Sequence, residues 1–122
     1  MENHKLVMPS DLNHHGHLFG GKMLSWVDEY AWMAASLEYR PCHFVTIGMD
    51  KVEFRKPVRQ GDILRFSITR HGQVHKTSVK YLVVVYIGEV DVFSTIVTFV
   101  NVDQMGKKRR IKEDTEQPLN SR

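Results

Sequence analysis

The chain is poor in the features that mark several protein classes. It has one cysteine, Cys42, so no disulfide can form within it and a disulfide-stapled secreted scaffold is excluded. No apolar run approaches the roughly 20 residues that span a bilayer. The start, Met1-Glu2-Asn3-His4-Lys5, lacks the basic-then-apolar plan of a secretory leader. It contains no Gly-rich phosphate loop, no dinucleotide fingerprint and no Gly-x-Ser-x-Gly elbow. Charge of one sign is also scarce: 17 Lys and Arg stand against 14 Asp and Glu, net +3. Residues 103–122 carry +2 of that, which leaves +1 for the other 102 residues. A nucleic-acid binder would need basic residues interleaved with aromatics along its body, and this body is nearly neutral. The default is a cytoplasmic protein of one domain, since 122 residues is an ordinary domain length.

What is present divides by hydrophobic period. Residues 21–39 predict one helix: Met23, Leu24, Val27, Tyr30, Ala31, Ala34 and Leu37 recur at the spacing of a buried face. Gly20-Gly21 precede it and Pro41 follows it. Lys22, Ser25, Glu29 and Ser36 take the wet side, while Trp26, Trp32 and Met33 widen the apolar arc. After Pro41 the period becomes two. Val45, Ile47 and Met49 alternate, then the phase slips to Val52 and Phe54, which predicts a bulge near Asp50-Lys51. Leu64–Ile68, Val79–Ile87 and Val90–Val102 follow as strands, and Leu6-Val7-Met8 is a candidate short strand. Hairpin-length spacings predict an antiparallel sheet wrapped on the helix, an α+β domain over residues 1–103. Residues 104–122 lose periodicity and read as a basic, mobile tail.

Four features carry chemistry. Asp28 lies at the border of the helix's apolar face. A carboxylate partly withdrawn from water costs free energy unless hydrogen-bonded, and such a group suits general-base work; a solvated helix flank is the plainer reading. Gly20-Gly21 let a ligand approach the unpaired N–H groups of the first helical turn, which favour an oxyanion. Alternatively they only loosen the helix start. Asn13, in the turn-rich Asp11–Gly16 segment, is either a donor to a carbonyl or a turn residue. His14, His15 and His17 cluster, but their spacing and the absence of a completing Cys or carboxylate set argue for loop histidines over a metal site.

Together these residues resemble the hotdog-fold acyl-CoA thioester hydrolases. The resemblance runs through Asp11-Leu12-Asn13, Gly16, Phe19-Gly20-Gly21 and Trp26-Val27-Asp28-Glu29. It continues through Val45-Thr46, Val52, Phe54, Pro57-Val58 and Gly61-Asp62, then Lys76-Thr77-Ser78-Val79 and Phe99–Asp103, covering roughly residues 7–110. It implies a long helix wrapped by a curved sheet and a homo-oligomer, with a dimer as the minimal active unit and a trimer of dimers above it. It also implies fatty acyl-CoA as substrate and free acid and coenzyme A as products, so coenzyme A enters as part of the substrate and no separate cofactor or metal is needed. Asp28 becomes general base or nucleophile, the Gly20 or Gly21 N–H stabilises the oxyanion, and Asn13 completes the site from the other domain of the pair. Lys76, Thr77 and Ser78 would contact the coenzyme A portion, with Arg55, Lys56, Arg59 and Arg70 as helpers and Lys107, Lys108 and Arg109 clamping the nucleotide end. His75 stands where the family usually has Gly. Two other readings use the same fold: a non-catalytic acyl-CoA-binding protein, which has no need of the base, and a dehydratase, for which His17 or His43 would be the catalytic residue.

Overall fold

A 19-residue helix with three alanines facing inward can sit close against a sheet, and the rest of the chain is arranged around that contact. In the computed structural model, which describes residues 1–111, this helix is α1, Gly20–Glu38. It buries Met23, Trp26, Val27, Ala31, Ala34 and Ala35. Its bounds lie within one residue of those predicted, inside the ambiguity of any helix end. The expected core face is wrong at one position, because Leu37 is 52% exposed. Trp32, the widest of the flanking residues, is also exposed, and its indole N–H donates to the Phe44 carbonyl at 2.9 Å.

The strands are β1 (Glu2–Leu6), β2 (Phe44–Phe54), β3 (Ile63–Arg70), β4 (Ser78–Ile87) and β5 (Val90–Asn101), in one antiparallel sheet of order β1-β3-β4-β5-β2. Only β3–β4 and β4–β5 are hairpins. β2 pairs with β5, and residues 55–62 carry the chain across to the far side of the sheet before β3 begins. The first strand precedes the apolar patch expected to form it. Val7 instead sits buried beyond the strand, exchanging backbone bonds with Asp62 and Gly61. Alternate residues Leu64, Phe66 and Ile68, Val79, Tyr81, Val83 and Val85, and Phe93, Val97 and Phe99 form the core with α1. Each contributes about 1.5–3 kcal/mol on leaving water.

β2 is an edge strand, and it is irregular. Its register shifts between Thr46 and Gly48 and again between Asp50 and Glu53, where Lys51 takes a φ of 52°. The second shift is the expected bulge. Together they keep Thr46, Met49 and Phe54 opposite the core residues Phe99, Val97 and Phe93. Val45, Ile47 and Val52 are left exposed on an open edge, Ile47 at 61%.

Residues 104–111 are not the loose tail expected of them. Asp103 accepts from the Met105 and Lys107 N–H groups at 2.8 and 3.0 Å, turning the chain back. Arg109 N–H then donates to Asn101, Ile111 N–H donates to Lys76 at 2.7 Å, and the Ile111 side chain is buried. The buried Asn101 side chain binds both sides of this junction, accepting from His43 N–H and donating to the Arg110 carbonyl. The rest of the expected tail, residues 112–122, lies outside the described residues.

Candidate active site

Asp28 is in the middle of α1, on the side facing β2. Its Oδ1 accepts a hydrogen bond from Thr46 Oγ1 at 2.5 Å. The carboxylate is half-buried, so a second oxygen remains for a water or a substrate. Thr46 is a site residue that inspection of the sequence did not single out. It stands between Val45 and Ile47 in a β-rich run and faces the helix in step with the buried Phe44 two residues before it.

The start of α1 is chemically open. Phe19 caps it without a side-chain hydrogen bond, and no acidic residue lies in the first turn. The Phe19 N–H is used, donating to the Asp11 carbonyl at 3.1 Å. The N–H groups of Gly20 and Gly21 belong to the first turn, where no intrahelical partner exists. Gly21 has open space where a side chain would stand. Asp11 fastens the preceding loop to this end. One of its carboxylate oxygens accepts from Met8 N–H, and the other lies 3.4 Å from Lys22 Nζ.

Asn13 is a turn residue and retains a donor. Its Oδ1 accepts from the backbone N–H groups of His15 and His17 at 2.9 and 3.1 Å. Its own N–H donates to the His17 carbonyl at 2.7 Å, and Gly16, at φ 81°, closes the turn. The carbonyl half of the amide is therefore committed to the loop, and its NH₂ is the half left for a ligand. The neighbouring histidines form no metal cluster: among the described residues no three His, Cys, Asp or Glu side chains converge.

A cavity of about 280 Å³ opens beside the helix start, lined by His17, Leu18, Met23, Phe54, Arg55, Lys56, Pro57, Val58 and Val92. The ten candidate coenzyme A residues fall into separate groups. Arg55 and Lys56 line this cavity, and Arg59 bridges to His17 beside it. Arg55 is not free there, since it pairs with Glu53 at 2.7 Å and Asp91 at 3.1 Å and donates to Ser94. Arg70 is at the other end of α1, bonded to the Tyr39 hydroxyl and 3.8 Å from Glu38. There Tyr81 donates to Glu38, and burial with that carboxylate pushes the Tyr81 phenol far up. Arg70 thus serves the closure of helix on sheet.

The returning C-terminal segment ties the two basic groups to one place: Ile111 N–H donates to Lys76, and Asn101, which donates to Thr77, accepts from Arg109 N–H. His75 closes the turn before them, its N–H donating to the Ser78 carbonyl at 2.9 Å. Ser78 pairs with Val100, and Thr46 with Phe99. Two strand spacings, roughly 10 Å, therefore separate the basic group from the strand residue that holds Asp28. Cys42 lies nearby and is buried; burial pushes its thiol up, partly offset by Arg109, so it is a poor nucleophile.

A long helix wrapped by a curved antiparallel sheet, with a carboxylate in mid-helix and an uncapped glycine start, is the hotdog architecture of thioesterases. The thioesterase superfamily model matches residues 15–94, and the chain belongs to that family. An uncharacterized acyl-CoA thioester hydrolase of Haemophilus influenzae is 32% identical over 126 residues, 93% of this chain and 79% of that protein. A hexameric hotdog fold thioesterase of Campylobacter jejuni is similar with a TM-score of 0.82 at 35% identity, over 97% of this chain and 94% of that one. An acyl-CoA hydrolase from Staphylococcus aureus, solved with butyryl coenzyme A, coenzyme A and coenzyme A disulfide, gives a TM-score of 0.76 at 28% identity, over 99% of this chain and 77% of that one. Variants of the Staphylococcus enzyme with an asparagine, an aspartate or a threonine replaced by alanine have also been solved, the three residues following one another in that order.

Proposed function

We propose that this protein hydrolyses fatty acyl-CoA to free acid and coenzyme A at a site shared between two copies of the chain. The observation that carries the reading is the Asp28 carboxylate, held by Thr46 and facing the open β2 edge. Asn13, Asp28 and Thr46 follow the same order as the three residues replaced in the Staphylococcus enzyme. Membership of the thioesterase family adds to this.

Distance argues for two copies. Asp28 is eight residues beyond Gly20, which is roughly 12 Å along the helix axis. An oxyanion donor must lie about 3 Å from the carbonyl oxygen, and a base working through water about 3 Å from a water that is itself about 3 Å from the carbonyl carbon. One helix cannot bring both to the same carbonyl. Antiparallel pairing of two β2 edges would place the helix start of one copy beside Asp28 of the other. Val45, Ile47 and Val52 supply an apolar edge for that pairing, and an unpaired apolar edge strand is otherwise an aggregation hazard. The Campylobacter relative is hexameric, which favours a trimer of such dimers.

In this reading the carbonyl oxygen lies on the Gly20 or Gly21 N–H, with the Asn13 NH₂ as a second donor. Asp28 of the other copy accepts a proton from water as the water oxygen bonds to the carbonyl carbon. The tetrahedral oxyanion is stabilised at the helix start. Its collapse breaks the C–S bond, releasing coenzyme A thiolate, which takes up a proton, and the free acid. Direct attack by Asp28 on the carbon, giving an anhydride that water then opens, uses the same geometry. Lys76, Thr77, Ser78, Lys107, Lys108 and Arg109 would face the phosphates of the nucleotide end, with charge-assisted hydrogen bonds.

The test is thiol release from acyl-CoAs of increasing chain length by the wild type and Asp28→Asn. Turnover that falls by at least 10²-fold in the variant, with the unfolding midpoint unchanged, is the expected result. Binding of acyl-CoA without turnover by the wild type would leave a non-catalytic binding protein, and full activity in Asp28→Asn would remove Asp28 from the chemistry.

A further inference from the structure

We propose that Phe54 is the wall that sets how long an acyl chain the site accepts; this rests on the thioesterase reading above. Phe54 ends β2 and pairs with the fully buried Phe93, so its ring is directed to the helix side of the sheet. It meets the Phe93 ring edge to face, with centroids 4.8 Å apart. Its far side rests against the helix start: a Cβ on Gly20 would come within 3.4 Å of Phe54 Cζ. The ring therefore stands within van der Waals reach of the backbone proposed to carry the oxyanion donors.

A phenylalanine facing the core is ordinarily buried, yet Phe54 is 54% exposed. Part of its surface fronts the cavity of about 280 Å³, whose apolar lining includes Leu18, Met23, Val58 and Val92. The ring is a partition between the helix-start backbone and a cavity whose walls are mostly apolar, with His17, Arg55 and Lys56 at its polar part. An acyl chain leaving a carbonyl at Gly20 or Gly21 runs into this ring before it reaches that space.

The partition is fixed in place. Phe93 cannot retreat, and the neighbouring Arg55 ties the strand end down through Glu53, Asp91 and a backbone N–H bond to Val92 at 2.8 Å. Short acyl groups end before the ring. Longer ones need the cavity, and removal of the ring joins it to the site.

The experiment compares kcat/KM for butyryl-, hexanoyl-, octanoyl- and decanoyl-CoA in the wild type, Phe54→Ala, Phe54→Leu and Phe54→Trp. A single methylene in an apolar pocket is worth about 10-fold or more in kcat/KM. The decanoyl-to-butyryl ratio should rise at least 10-fold in Phe54→Ala, rise less in Phe54→Leu, and fall in Phe54→Trp. If Phe54→Ala does not fold, the smaller change to Leu decides the direction. A ratio unchanged in a folded, active variant overturns the proposal, as does a loss equal at every chain length. Absence of turnover by the wild type on every acyl-CoA overturns the thioesterase reading and this inference with it.

Discussion

Thr46→Val is the sharpest probe of the arrangement at Asp28. Valine keeps the β-branched shape that suits a strand and deletes only the hydroxyl that donates to Asp28 Oδ1 at 2.5 Å. A hydrogen bond to a charged group contributes about 1.5–3 kcal/mol when shielded. Thr46 is exposed and Asp28 half-buried, so water competes and about 1–2 kcal/mol is the reasonable share. If the bond serves to aim the carboxylate at the reacting water, that share appears in the transition state, as a fall in kcat of about 5- to 30-fold. KM should hardly move, because the hydroxyl is spent on Asp28 and touches no substrate. Thr46→Ser restores the donor and should return kcat to within about threefold of the wild type. In an Asp28→Asn background the valine change should add almost nothing, since residues acting as a unit are not additive. Steady-state thiol release with butyryl-CoA reads the wild type and all four variants. A valine variant with unchanged kcat, or one whose whole loss is in KM, or a serine variant no better than valine, would refute the positioning role.

If the site is shared, mixing Asn13→Ala with Asp28→Asn and letting subunits exchange should restore activity that neither variant has alone, since half the pairs then hold one intact site. No recovery from a mixture shown to exchange would mean that each chain works by itself. Replacing Lys107, Lys108 and Arg109 together by Gln should raise KM for acyl-CoA about 10-fold at low salt with kcat retained, and should leave an acyl-pantetheine thioester, which lacks the nucleotide, unaffected; equal effects on both substrates would remove the clamp. Tyr81 gives a pH prediction. Its phenol titrates higher in the folded chain than its ordinary value of 10.0, so the neutral form belongs to the folded state and its contribution is complete below that pH. Stability should fall as pH rises past about 10, where the unfolded phenol ionises first, and Tyr81→Phe should flatten that slope in alkaline denaturation.

Much of this was written in local patterns. The 3.6-residue period located α1, and the period-two runs located β2 to β5, because each element buries one face against the same core. The bulge at Asp50-Lys51 showed as a slip of phase. What local pattern does not hold is which strand lies beside which. Nothing in residues 55–62 says that the chain crosses the sheet, and hairpin-length spacings alone do not reveal that β2 pairs with β5. The first register shift, between Thr46 and Gly48, is silent in the sequence, and it puts Met49 out of phase with Val45 and Ile47. Leu37 was expected in the core because its spacing fits the helix's inner face. It is instead 52% exposed and lines an open pocket with Met1, Ala34 and Ile68. The returning segment 104–111 lost periodicity and read as loose. It is held by one buried asparagine, Asn101, and one buried isoleucine, Ile111, too few residues to show a pattern.

The cationic residues show why composition alone sorts a site poorly. Arg55, Arg70 and Arg109 are equivalent as charges in the sequence. In the fold, Arg55 is neutralised by two carboxylates and braces the end of β2, while Arg70 is turned onto Tyr39 and Glu38 to close α1 on the sheet. Arg109 reaches its place only because Asp103 and Asn101 bring the chain back beside Lys76. A phosphate has most to gain from cations that are clustered and not already matched by nearby carboxylates. Among the described residues Lys76, Lys107, Lys108 and Arg109 form no ion pair, so under the proposed function that group would be the better anchor for a nucleotide; it lies about two strands from the residue that holds Asp28. The proposed oxyanion donors and Phe54 lie at the start of α1, roughly 12 Å along the helix axis from Asp28. If the proposed function holds, a thioester would reach from the base and nucleotide group of one copy to the helix start of another, and pairing along β2 would then serve the chemistry as well as cover the apolar edge.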